Sequence, residues 1–195
     1  KLAVNYTATN LDFFTLTPEE AGVDTFTEIF NLKVAVKIEE SASAGHKDVT
    51  VTMWINDKLV KRDVTLFGLS AIGNYAGVLT WNGASVALAT PEQTPEELGY
   101  SRFTLQDLGI ADGTYSSNAV NMSQYAGGLN NTYLDVDVSF DGSIDASSGI
   151  KFAGTAPTSW DGIKIGLVAG DKLTVNYTAT NLEIFTVTAE KAGVD

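Results

Sequence analysis

The chain has no cysteine, one histidine, four prolines and only 12 basic residues among 195. Without cysteine there is no disulfide framework, no thiolate metal site and no thiol nucleophile. The 24 acidic residues leave a net charge of −12, which repels phosphate backbones and anionic lipid surfaces, so no nucleic-acid partner is expected. No apolar run approaches the roughly 20 residues of a membrane helix, and no basic-then-apolar signal opens the chain. Membrane insertion is not expected. The chain starts at Lys1 inside what reads as a strand, as a mature or excised piece would, so the missing signal does not point to the cytoplasm.

Catalytic signals are equally sparse. His46 sits in the loop-like SASAGHKD, with no GxSxG motif and no metal-ligand spacing around it. The pairs Glu19-Glu20, Glu39-Glu40 and Glu96-Glu97 fit helix caps and strand ends rather than paired-carboxylate chemistry. No enzyme is expected, and no catalytic residue is assigned.

What is present is period-two alternation. Leu32, Val34, Val36 and Ile38 alternate with Lys33, Lys37 and Glu39; Val49, Val51, Met53 and Ile55 with Thr50, Thr52 and Trp54; Leu134, Val136, Val138 and Phe140 with Asp135, Asp137 and Ser139. Threonine, a strand former, supplies 22 residues. Turn signals punctuate these runs at Asn56-Asp57, Asn82-Gly83, Asp112-Gly113, Asp141-Gly142 and Asp161-Gly162, where hairpins are expected. Thr17-Pro18-Glu19-Glu20 and Thr94-Pro95-Glu96-Glu97 each offer an N-cap, an early proline and an N3 glutamate before a glycine, so single-turn helices are expected there. Residues 116–131 lack clear periodicity and read as a long surface loop. The pattern predicts an all-β fold: an antiparallel β-sandwich, Ig-like or jelly-roll-like, with short single-turn helices.

The strongest feature is a repeat. KLAVNYTATNLDFFTLTPEEAGVD opens the chain and KLTVNYTATNLEIFTVTAEKAGVD closes it, 171 residues later, with six differences. The large apolar residues are exchanged only for apolar ones, and Leu2, Val4 and Tyr6 keep the phase of Leu173, Val175 and Tyr177, so both copies present one apolar face. A cloning scar would be identical. Conservative variation instead suggests adjacent members of a tandem array, with residues 1–171 as one β-sandwich repeat unit and 172–195 as the opening strands of the next. So short a segment cannot fold alone, which makes it a shared or donated terminal strand. The alternative is an internal duplication whose two copies lie symmetrically in the sheets of one domain.

On this repeated segment the chain resembles tandem-repeat β-sandwich subunits of bacterial or archaeal surface filaments and adhesins. The resemblance implies an extracellular, cell-surface structural protein assembled head to tail with copies of itself or adjacent repeats, without a cofactor. The inter-unit strand would use Leu2, Val4, Tyr6, Leu11, Phe13 and Phe14, and Leu173, Val175, Tyr177, Leu182, Ile184 and Phe185. An intramolecular lysine–asparagine crosslink, found in some cysteine-free pilus modules, would draw on a buried lysine such as Lys33 or Lys164.

A second reading is a carbohydrate- or calcium-binding adhesin module. Trp54, Trp81 and Trp160 offer ring faces for a glycan, beside Tyr75, Tyr115 and Tyr125. Asp137, Ser139, Asp141 and Asp145 fall at calcium-loop positions, with Gly142 as turn glycine and Ile144 as the apolar eighth residue. Ser148 stands where the bidentate glutamate belongs and a strand precedes the loop, so a plain hairpin at Asp141-Gly142 competes. Sequons mark Asn5, Asn121, Asn130 and Asn176 for glycosylation, with Asn5 and Asn176 on the outward phase of their strands.

Overall fold

A computed structural model describes the backbone of residues 2–81, 83–92, 99–116, 120–125, 128–141 and 148–193, and within these the side chains except at 2–9, 180–187, 191 and 192. The strands are β1 (Leu2–Leu16), β2 (Phe30–Glu40), β3 (Lys47–Ile55), β4 (Lys58–Leu69), β5 (Tyr75–Leu79), β6 (Ser85–Ala89), β7 (Ser101–Phe103), β8 (Gly113–Ser116), β9 (Val120–Gln124), β10 (Thr132–Asp141), β11 (Gly149–Gly154), β12 (Gly162–Val168) and β13 (Lys172–Val187). They form a sandwich. One sheet has six strands in the order β1-β13-β12-β11-β5-β9; the other has seven, in the order β4-β3-β2-β10-β6-β8 with β7 against β10. All pairings are antiparallel except β7 with β10.

The alternation seen in the sequence sets the inner faces. Leu32, Val34, Val49, Val51, Val136 and Val138 from the seven-stranded sheet meet Val78, Ile150, Ile163, Ile165, Leu173 and Val175 from the six-stranded one, all at 2 % exposure or less. Phe26, Phe30 and Phe140 close one end, with Phe26 edge-on to Phe30 at 5.4 Å. Each such side chain contributes about 1.5–3 kcal/mol on burial, which is the main force holding the two layers together.

Local signals act as their chemistry dictates. Asn56 and Asp57 take φ of 47° and 63°, the left-handed pair of a two-residue hairpin between β3 and β4. Thr17 caps the single turn α1 (Pro18–Ala21) in a capping box with Glu20, and Gly22 ends it at φ 75°.

Other turn signals do something different. Gly142 lies outside the described residues, but β10 before it and β11 after it lie in different sheets, so these two strands do not pair as a hairpin. Asn82 of the Asn82-Gly83 signal also lies outside the described residues, and the strands on either side, β5 and β6, belong to different sheets. A turn dipeptide permits reversal, but the sheet that accepts the next strand decides where the chain goes. The stretch 116–131 is not all loop, since Val120–Gln124 pairs with β5 as an edge strand. Thr94-Pro95-Glu96-Glu97 lies outside the described residues.

Candidate functional site

The two copies of the repeated segment lie side by side. β1 runs antiparallel to β13 along its whole length, from Leu2↔Val187 to Leu16↔Leu173. They are not equivalent in depth. β13 sits between β1 and β12, whereas β1 is the outer edge of the six-stranded sheet.

On β13 the inner face is sealed: Leu173, Val175 and Tyr177 are 0, 0 and 1 % exposed. The Tyr177 hydroxyl accepts a 2.9 Å hydrogen bond from the Ala71 N–H, which keeps a buried phenol satisfied. On β1, Phe13 is buried, Phe14 half-buried under Lys61, whose Nζ lies 5.8 Å from the ring centre, and Leu11 is 39 % exposed. Leu2, Val4, Tyr6, Leu182 and Phe185 take their places in the ladder, and Ile184 falls at a register shift between Glu183 and Phe185. Thr15 and Thr174 face each other across it, hydroxyl to hydroxyl at 3.2 Å.

The outer face of this sheet holds a polar row of which the sequence singled out only Lys164, as a buried lysine, and Asn176, as an outward asparagine. Register places Asp12, Asn176, Lys164, Lys151 and Gly77 in line across β1, β13, β12, β11 and β5. Lys151, Lys164 and Asn176 are 1, 7 and 5 % exposed, so the face that alternation assigns to solvent is covered here. Lys151 donates through Nζ to the carbonyl of Trp160, which also accepts from Thr178 Oγ1 at 2.5 Å. Burial, and then the neighbouring charge of Lys164, lower the Lys151 ammonium to a pKa of about 7, against a counter-pull from Asp161. A neutral amine is a base and a nucleophile, but this one is closed off beneath Trp160, so its effect falls on stability. The signal for it was GIKFAG and GIKIG, two apolar strands each interrupted by one lysine.

The remaining predicted residues scatter. Trp81 and Trp160 meet edge to face, ring centres 6.0 Å apart at 87°, each 42 % exposed. Trp54 is on the other sheet, half-buried opposite Lys33. Asp137, Ser139 and Asp141 extend along one face of β10 at intervals of about 7 Å instead of curling around a point; Asp145 lies outside the described residues. Asp137 accepts from Asn31 Nδ2 at 2.9 Å. Among the described residues, no three histidine, aspartate or glutamate side chains gather to hold an ion.

Asn121 is exposed on the edge strand β9, and Asn130 is exposed with its Oδ1 accepting from the Ile38 N–H at 2.8 Å. The position that strand phase gave to Asn176 changes here: it is on the outer face but buried, and its Oδ1 has no partner among the described residues. Asn5 belongs to the β1 ladder, opposite Glu183.

Sequence reasoning also missed a network on the outer face of the seven-stranded sheet. Asp135, 1 % exposed, accepts from Arg102 Nε at 2.7 Å and Asn31 Nδ2 at 2.9 Å. Lys33, 2 % exposed, pairs with Asp57. Each buried charge is thus compensated, as burial requires. No family model, curated protein or solved structure matches the chain.

Proposed function

We propose that this chain is an extracellular structural protein, a β-sandwich repeat unit whose copies join head to tail through shared strands into a filament, stalk or surface layer. One observation carries the reading. The second copy, the segment that would open the next unit, is the strand that completes the six-stranded sheet, with Leu173, Val175 and Tyr177 sealed in the core. A unit ending at residue 171 lacks that strand and bares both the edge of β12 and the inner face beneath β13.

The first copy does not fill this slot in its own unit. β1 is antiparallel to β13, and β13 to β12, so β1 runs parallel to β12 and would have to turn end for end. In this chain the slot is filled from the far end, and in an array the segment that opens the next unit would fill it, which is the geometry of strand addition.

The test is to shorten the chain to residues 1–171. It should self-associate in light scattering, one molecule's first copy filling the next molecule's slot, and a synthetic peptide of residues 172–195 should return it to a monomer with a cooperative melt. A chain of residues 25–195 should stay monomeric. A 1–171 chain that remains a monomer and melts like the intact one would sink the proposal.

A further inference from the structure

The two copies pair about a local two-fold axis. Adding 171 to a residue of the first copy gives its counterpart in the second, and the ladder respects that exchange. Leu2↔Val187 is matched by Leu16↔Leu173, Val4↔Phe185 by Phe14↔Val175, and Tyr6↔Leu182 by Leu11↔Tyr177. Even the irregularities correspond. Phe13 is passed over between Asp12↔Asn176 and Phe14↔Val175, and its counterpart Ile184 between Asn5↔Glu183 and Val4↔Phe185. A contact with this property is isologous: each partner offers the same surface to the other.

Consequently β1 and β13 turn the same edge toward each other. The second edge of β13 carries β12. The equivalent edge of β1 is the open rim of the six-stranded sheet, and it carries the same segment with conservative changes. We infer that in an array of these units the open edge of β1 receives the Gly162–Val168 strand of the preceding unit. Two neighbours then share one sheet, with the order β12, copy, copy, β12 across a two-fold seam. The inference rests on the repeat-unit reading above and names the partner of its edge strand.

Counting edges extends this to the whole array. If every unit closed on itself as this one does, each interior copy would be claimed by three strands: the β12 it completes, the copy before it and the copy after it. A strand has two hydrogen-bonding edges. Units therefore associate in twos, and the structural period of the array is two units, with copies of successive pairs left unpaired to each other.

A two-unit chain, residues 1–195 followed by 25–195, carries three copies and tests this directly. Thr15→Cys with Thr174→Cys reports pairing of the first and second copies, since those side chains already meet across the ladder. Thr186→Cys, with the matching substitution at the Thr174 position of the second unit, reports pairing of the second and third. The chain has no native cysteine, so peptide mass spectrometry reads each disulfide without background. The Thr15→Cys/Thr174→Cys pair in the 195-residue chain is the positive control for the register.

In molecules with all four substitutions the expected result is one disulfide or the other and never both. The second-to-third bond should be in excess, because those two copies are each flanked by a β12. Both bonds in one molecule, or neither while the control crosslinks, overturns the seam. Failure of strand sharing itself would be seen separately, as a 1–171 chain that the added peptide does not complete.

Discussion

Copies of one segment occupy two environments in this molecule. Across the ladder Thr15 is exposed while its neighbour Thr174 is 3 % exposed, and Asp12 is exposed while Asn176 is 5 % exposed. At the first of these pairs composition cannot explain the contrast, since threonine faces threonine. What differs is the number of flanking strands. β13 has one on each side and a covered outer face; β1 has one and ends the sheet. A segment's depth is therefore a property of its seat, and the strand in the shallower seat is the one that leaves an edge of the sheet open.

The largest effect that sharpens this contrast is truncation on the deep strand. Leu173→Ala removes a side chain that is 0 % exposed, and should cost about 2–4 kcal/mol in urea unfolding. Leu11→Ala, at 39 % exposure on β1, should cost less than about 1 kcal/mol. Equal losses would mean that the two strands are equally integral and that β1 is no spare edge.

Much of the fold was legible because alternation is local. The half-buried strands, the Asn56-Asp57 hairpin and the cap at Thr17 follow from side-chain phase, left-handed φ and an N-terminal hydroxyl, none of which needs a distant partner. The passage from β10 to β11 was not legible, since Asp141-Gly142 states that the chain can turn and not which sheet receives it. The site was half legible. The repeat showed that two segments are alike, but likeness does not state that they pair, nor that one lies inside the other. Strand phase placed Asn176 on an outward face, yet it is 5 % exposed there, in register with Lys164 and with Lys151, whose ammonium reaches the Trp160 carbonyl.

That covered face supplies the second test of the deep seat. A folded-state pKa of about 7 for Lys151 lies below the roughly 10.4 of an unfolded lysine, so between those limits the unfolded chain binds more protons. Stability should rise with pH across that window, and the penalty of burying the ammonium should be complete below it. Lys151→Met should flatten the rise and stabilise the chain at neutral pH, by something on the order of 2 kcal/mol. Denaturant midpoints measured from neutral to alkaline pH check this, and a variant with the same slope as the parent would show that Lys151 meets water in the folded state.

The smallest effect concerns the chain just beyond each copy. Thr17-Pro18-Glu19-Glu20 becomes Thr188-Ala189-Glu190-Lys191 in the second copy, so the carboxylate of the capping box is replaced by an amine. In the first copy Thr17 N donates to Glu20 Oε2 at 2.8 Å and Glu20 N to Thr17 Oγ1 at 3.3 Å, and the first of these bonds holds the Glu20 carboxyl below its usual range. Glu20→Lys makes the first copy read like the second and should lower the melting temperature only slightly, because the bonds it breaks are exposed. An unchanged melting temperature would assign the turn after β1 to Gly22, whose left-handed φ of 75° and bonds to Pro18 and Glu19 carbonyls end the helix in either case. A fall as large as that of Leu173→Ala would instead make this turn part of what anchors β1, and the strand would then no longer be free to leave its edge.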